Sequence, residues 1–189
     1  MNYQQYIQLF EHILNSNQQQ SPYTDPQYLK YAKLNFSRMN RWQKTLQLNE
    51  ELVNEIKKIN EPQNWIIITE PWCSDGAPIV PFLVRLAEQN PLIQYDLQLR
   101  DQEPLLINAY LTNGTKSIPK LIVRDAAGND LFTYGPRPEA AQKLVNKLKA
   151  ANVDYDTLNT EVQNWYNKDK GTELQKELLQ LFSVGILSC

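Results

Sequence analysis

Cysteine is the first thing this chain lacks. Its 189 residues hold two, at positions 73 and 189, so neither a disulfide framework nor a metal staple is called on to hold the fold. Histidine is scarcer still. His12 stands alone, with no second ligand type at metal spacing, which argues against a metal site. There is no excess of basic charge either: 19 Lys and Arg face 21 Asp and Glu, a formal net charge of −2. That balance lacks the electrostatic footprint of a phosphate-backbone binder and predicts no nucleic-acid partner. No apolar run approaches the length of a membrane span, and the opening residues have neither a basic start nor a continuous apolar stretch. The expectation is a cytoplasmic protein with no membrane partner and both thiols at rest in the reduced state. With 42% hydrophobic residues, the chain can bury one core of its own.

What is present divides into three parts. Residues 1–62 read as a helical extension. Tyr3, Tyr6, Ile7, Phe10, Ile13 and Leu14 recur at the spacing of one helix face. Asp25-Pro26 opens a second helix bearing Leu29, Ala32, Phe36 and Met39, and Asn49 caps a third with Leu52, Val53 and Ile56. Residues 63–151 then change character. Trp65 to Thr69 is a run typical of a strand covered on both faces. A helix from Ser74 or Asp75, a strand over 92–99 and a helix over 104–111 follow, predicting a parallel strand pair with a crossover. The strands 120–124 and 130–134 flank a glycine-containing hairpin connection. Gly135-Pro136-Arg137-Pro138 breaks the second and opens a helix. Residues 152–189 read as a second helical extension packed on that core.

Cys73 lies where the buried strand ends and a helix begins, directly after Trp72. Unpaired N–H groups and the dipole at a helix N-terminus favour a thiolate and would lower its pKa, though the net direction is open. Asp75, two residues on, opposes this by like charge, and it has a structural reading too, as an acid in a helix's first turn. Three positions after the cysteine, where a second would complete a dithiol, stands Gly76. Cys189 ends the chain after an apolar tail; it is either a distant resolving thiol or an inert terminal one.

The residues carry a resemblance. Trp72-Cys73 at the strand end, Pro81 eight positions later and Ser117-Ile118-Pro119 before the hairpin resemble the active-site Trp-Cys, the kinking proline and the cis Ile-Pro of thioredoxins. The strings Thr69-Glu70-Pro71-Trp72-Cys73, Leu111-Thr112-Asn113-Gly114 and Tyr134-Gly135-Pro136-Arg137-Pro138 look like bacterial thioredoxin-like proteins with helical flanks, which commonly carry Trp-Cys-Gly-Asp at the site. The resemblance implies an α/β thioredoxin-like fold with extra N- and C-terminal helices. It also implies a cis bond at Ile118-Pro119, with Ile118 facing Cys73 and offering its backbone to an extended peptide. By the same resemblance, Ile67 stands where thioredoxins hold a buried aspartate for proton transfer.

Two functions follow from this reading. In the first, Cys73 is the nucleophile of a monothiol thiol–disulfide exchange, and Trp72, Ser74, Asp75, Gly76, Ile118 and Pro119 bind the substrate, a protein or small-molecule thiol or disulfide. No cofactor is required. In the second, the groove binds a peptide or partner without redox chemistry. Arg100, Asp101 and Arg137 are further candidates for the rim of the same site.

Overall fold

The architecture comes from a computed structural model and is described for residues 1–185. Three helices open the chain, each begun by the residue that satisfies its free N–H groups. The Asn2 side chain and Gln5 cap α1 (Tyr3–Asn15) reciprocally. Asp25 accepts from the Gln27 N–H at the head of α2 (Pro26–Thr45), with proline in the first turn. Asn49 does the same for α3 (Glu50–Lys58) through the Leu52 N–H.

A four-stranded mixed sheet follows in the order β2-β1-β3-β4. β1 (Gln63–Thr69) runs parallel to β2 (Ile93–Leu99) through the crossover helix α4 (Gly76–Ala87), and antiparallel to β3 (Lys120–Asp125), which pairs with β4 (Asp130–Tyr134). β1 is central because both of its faces are apolar. Trp65 and Ile67 enter the main core, whereas Ile68 joins Cys73, Ile107, Ile118 and Ile122 in a smaller cluster. Cys73 is thus part of a packed apolar patch. The chain closes with α5 (Glu139–Ala150), α6 (Tyr155–Asp169) and α7 (Thr172–Gly185), and Phe182 of α7 stacks on Trp65. This is the thioredoxin-like α/β arrangement expected from the sequence.

One predicted helix is absent. Residues 104–111 hold only a 3-10 turn, Leu106–Ala109, preceded by Leu105 in the left-handed region at φ 53°. So short a segment between a proline and a turn cannot repay helix nucleation, and Ile107 alone is buried against the sheet. Among the described residues no helix is long and apolar enough to cross a membrane.

Candidate functional site

The end of β1 builds the site. A turn closed by the Cys73 N–H donating to the Glu70 carbonyl (2.9 Å) carries the chain from strand to α4. From α2, the fully buried Asn35 steadies that turn by donating to the Pro71 carbonyl (3.0 Å). The Cys73 thiol then donates to the Ile118 carbonyl (3.3 Å) and its sulfur accepts the Gly76 N–H (3.3 Å). The Ile118–Pro119 peptide bond is cis.

Cys73 is 6% exposed. Burial pushes its thiol up to about 12, and the Asp75 charge adds to the rise; the N–H groups of Gly76 and Asp75 and the Arg137 guanidinium oppose it. The direction, left open between the helix terminus and Asp75, is upward. Two N–H dipoles and one guanidinium do not replace the water that an ionised sulfur would lose.

Asp75 also departs from the first-turn reading. It sits at the cap position of α4 but makes no cap hydrogen bond. One carboxylate oxygen is paired with Arg137, which also donates to Gln142 (2.9 Å), and the other accepts from the Tyr166 hydroxyl (2.8 Å). This buried pair ties the segment after β4 and helix α6 to the residue two places from the sulfur. Ser74 is held by the same helix, its carbonyl accepting from Gln163 (2.8 Å).

Trp72 is half-buried, with Tyr28 edge-on (5.4 Å) and the Arg100 guanidinium over its ring (4.6 Å). Arg100 in turn forms a two-pronged pair with Asp101 (2.8 and 2.6 Å). Across the site, the buried Lys120 reaches from beside Pro119 to the Thr112 hydroxyl (2.7 Å). Gly135 adopts φ 113°, and a Cβ there would run into the Pro119 carbonyl. The backbone behind Pro119 therefore admits only glycine at that point.

The position of the missing second cysteine is occupied in space. A Cβ on Gly76 would lie 2.6 Å from Thr69 Oγ1, an atom that is buried without a hydrogen-bond partner. Ile67, in place of a proton-relaying acid, is fully buried in the main core. Trp72, Cys73, Ser74, Asp75 and Ile118 share one groove of about 380 Å³, whose far wall is α6 through Leu158 and Val162. Gly76 and Pro119 lie behind it, the first against the sulfur and the second in the turn into β3. Cys189 lies outside the described residues. His12 is exposed on α1 and lines a different cavity. Among the described residues, no three histidine, cysteine or acidic side chains are grouped to hold a metal ion.

Asn35, Gln163, Tyr166 and Thr69 were not found by reading the sequence. The first three carried a signal. Asn35 interrupts the stripe of Ala32, Phe36 and Met39, and Gln163 and Tyr166 sit beside Val162 on the buried side of α6. A polar group on an apolar face must bond something within the protein.

Among solved structures, the chain is similar to a protein of unknown function from Pseudomonas aeruginosa, at 17% identity over 82% of this chain and 89% of that one, with a TM-score of 0.56. It is similar also to an HIV epitope scaffold, at 14% identity over 82% and 90% of the two chains, with a TM-score of 0.57. At such identities the likeness is one of fold. No curated protein matches. The sequence profile described as "Thioredoxin" matches residues 23–151, which take in β1, the Cys73 turn, the crossover helix, the cis Ile118–Pro119 bond and the hairpin; the chain belongs to the thioredoxin family.

Proposed function

We propose that the protein is a cytoplasmic, bacterial-type monothiol member of its family that captures a thiol or disulfide in the groove and exchanges it slowly at Cys73. In this reading residues 63–151 are the thioredoxin-like core, and 1–62 and 152–189 are helical extensions. The observation that carries it is the bond from the Cys73 thiol to the Ile118 carbonyl, at the mouth of a groove large enough for a side chain. An extended substrate segment lying along Ile118 supplies its own N–H to that carbonyl and frees the thiol from it.

The exchange balances simply. The thiol gives its proton to water, since Ile67 supplies no relay. The sulfur attacks one sulfur of a substrate disulfide, forming the Cys73–substrate bond and expelling the other half as a thiolate, which takes up a proton. Gly76 provides no resolving thiol, so the mixed disulfide is cleaved by an external thiol or by Cys189. With the thiol at about 12, the thiolate fraction at neutral pH is about a thousandfold below that of a free cysteine, so exchange is slow.

That raised value favours the second reading, a non-catalytic groove that only binds. Incubating a Cys189→Ser protein with a cysteine-containing peptide disulfide, followed by intact-mass measurement, separates the two. The exchange reading expects a one-to-one adduct that persists until a small thiol is added and is absent in Cys73→Ser. Peptide binding without any adduct, even after long incubation, leaves only the binding function.

A further inference from the structure

A second cavity, of about 440 Å³, opens on the other side of the Glu70–Cys73 turn. Its floor is the carboxyl end of the parallel pair β1 and β2, through Glu70, Leu99 and Asp101, and its wall is α1 with the loop to α2. Crevices at the carboxyl ends of parallel strands are the ordinary ligand position in α/β sheets, and this volume suits a small molecule. The wall residues 9–22 precede the stretch that the family profile matches.

Two buried polar residues line this space. Tyr23 is 9% exposed, and its hydroxyl is enclosed with no hydrogen-bond partner. Glu70 is 6% exposed, and its Oε1 accepts the Asp101 N–H (3.1 Å). Among the described residues no lysine or arginine lines the cavity. Asp101 holds Arg100 in a two-pronged pair, so Glu70 is a lining carboxyl with no ion pair among the described residues, and the Arg100 charge acts on it only from a distance. Burial pushes it up to about 7, and the Asp101 charge adds to the rise; the N–H groups of Asp101 and Arg100 and the Arg100 charge oppose it.

We infer that this cavity is a second binding site, for a small primary ammonium compound whose N–H groups donate to the Glu70 carboxylate and the Tyr23 hydroxyl. An ammonium has three donors and no acceptor, which fits two acceptors at one end of a pocket with an apolar side formed by Leu9, Ile13 and Leu99. The assignment does not depend on Cys73.

Titration with n-butylammonium, followed through backbone amide chemical shifts, tests the inference, with n-butanol as the uncharged control. Saturable shifts at Tyr23, Glu70 and Asp101 are expected with the ammonium and not with the alcohol. Glu70→Gln should abolish them. Tyr23→Phe should weaken binding about tenfold, the worth of one hydrogen bond to a charged group, while leaving the melting temperature unchanged or raised. That combination marks a ligand role, because a hydroxyl that only served the fold would lower stability when removed. Shifts that never saturate, equal binding of butanol, or unchanged affinity in Tyr23→Phe would overturn it.

Discussion

At the scale of single residues, burial decides the chemistry of this molecule more than local motif does. Cys73 has the helix terminus that lowers a thiol pKa, yet the apolar cluster around it and the charge of Asp75 raise it. Alkylation of Cys73 in a Cys189→Ser background should accordingly keep climbing with pH through 9 and 10; a plateau below pH 9 would contradict the burial argument. Asp75→Asn removes the like charge and should speed alkylation at pH 8 by about tenfold, roughly one unit of pKa. Glu70 illustrates the same balance for an acid. Its folded value of about 7 lies above the ordinary 4.5, so the native state holds the proton more tightly than the unfolded one. The folded form therefore loses stability as pH rises from 4.5 through 7, by up to about 3 kcal/mol. Glu70→Gln should be more stable than the parent at pH 8, by a margin that closes towards pH 4.5, as read from urea midpoints. A margin independent of pH would refute the assignment. Gly76 adds a steric case. Adding a side chain there meets Thr69 Oγ1, so Gly76→Cys should cost about 1–3 kcal/mol. Thr69→Ala, Gly76→Cys should recover most of that, because it removes the obstructing hydroxyl. Equal stability of the single and double variants would show that the site relaxes by another route.

At the scale of elements, α6 has the largest hold on the site of any helix outside the crossover unit. It bonds Ser74 and Asp75 and supplies the far wall of the groove. Tyr166→Phe leaves one oxygen of the buried Asp75 carboxylate without its donor and should cost about 1–3 kcal/mol in urea unfolding. A loss below that range would mean that Arg137 alone satisfies the carboxylate. Elements with strong local signals were legible in the sequence. The caps Asn49 and Asp25, the apolar run of β1 and the glycine hairpin each specify their structure within a few residues. The helix expected over 104–111 failed because eight residues with an apolar pattern do not say whether a neighbour exists to stabilise them, and the sheet accepts only Ile107. The bonds of Tyr166, Gln163 and Asn35 were beyond reach for a related reason. Each joins residues between 36 and 91 positions apart, and no local pattern encodes which partner a buried polar group will meet.

At the scale of the whole molecule, the distribution of charge matters more than its sum. The chain carries a formal −2, yet the groove at Cys73 is lined by Arg100, Lys116, Arg137 and Lys149 with Asp75 as its acid. Arg137 and Asp75 cancel, and the Arg100 charge is met by Asp101 on the outer side. Lys116 and Lys149 remain exposed on the rim. A groove biased in this way attracts negative segments, so selection among peptides should follow charge and weaken with salt. Two cysteine-containing peptides of equal length, one flanked by glutamates and one by lysines, provide the measurement. The acidic peptide should bind more tightly at low ionic strength, by about three- to tenfold for two rim charges of roughly 0.5 kcal/mol each. Its advantage should shrink towards 0.5 M salt, where the screening length falls to about 4 Å. Lys116→Ser, Lys149→Ser should abolish the preference without altering the affinity for a neutral peptide. A preference that survives both salt and the double variant would move the origin of selectivity inward, to the Trp72 ring and the backbone of Ile118, where contacts are apolar or hydrogen-bonded and indifferent to ionic strength.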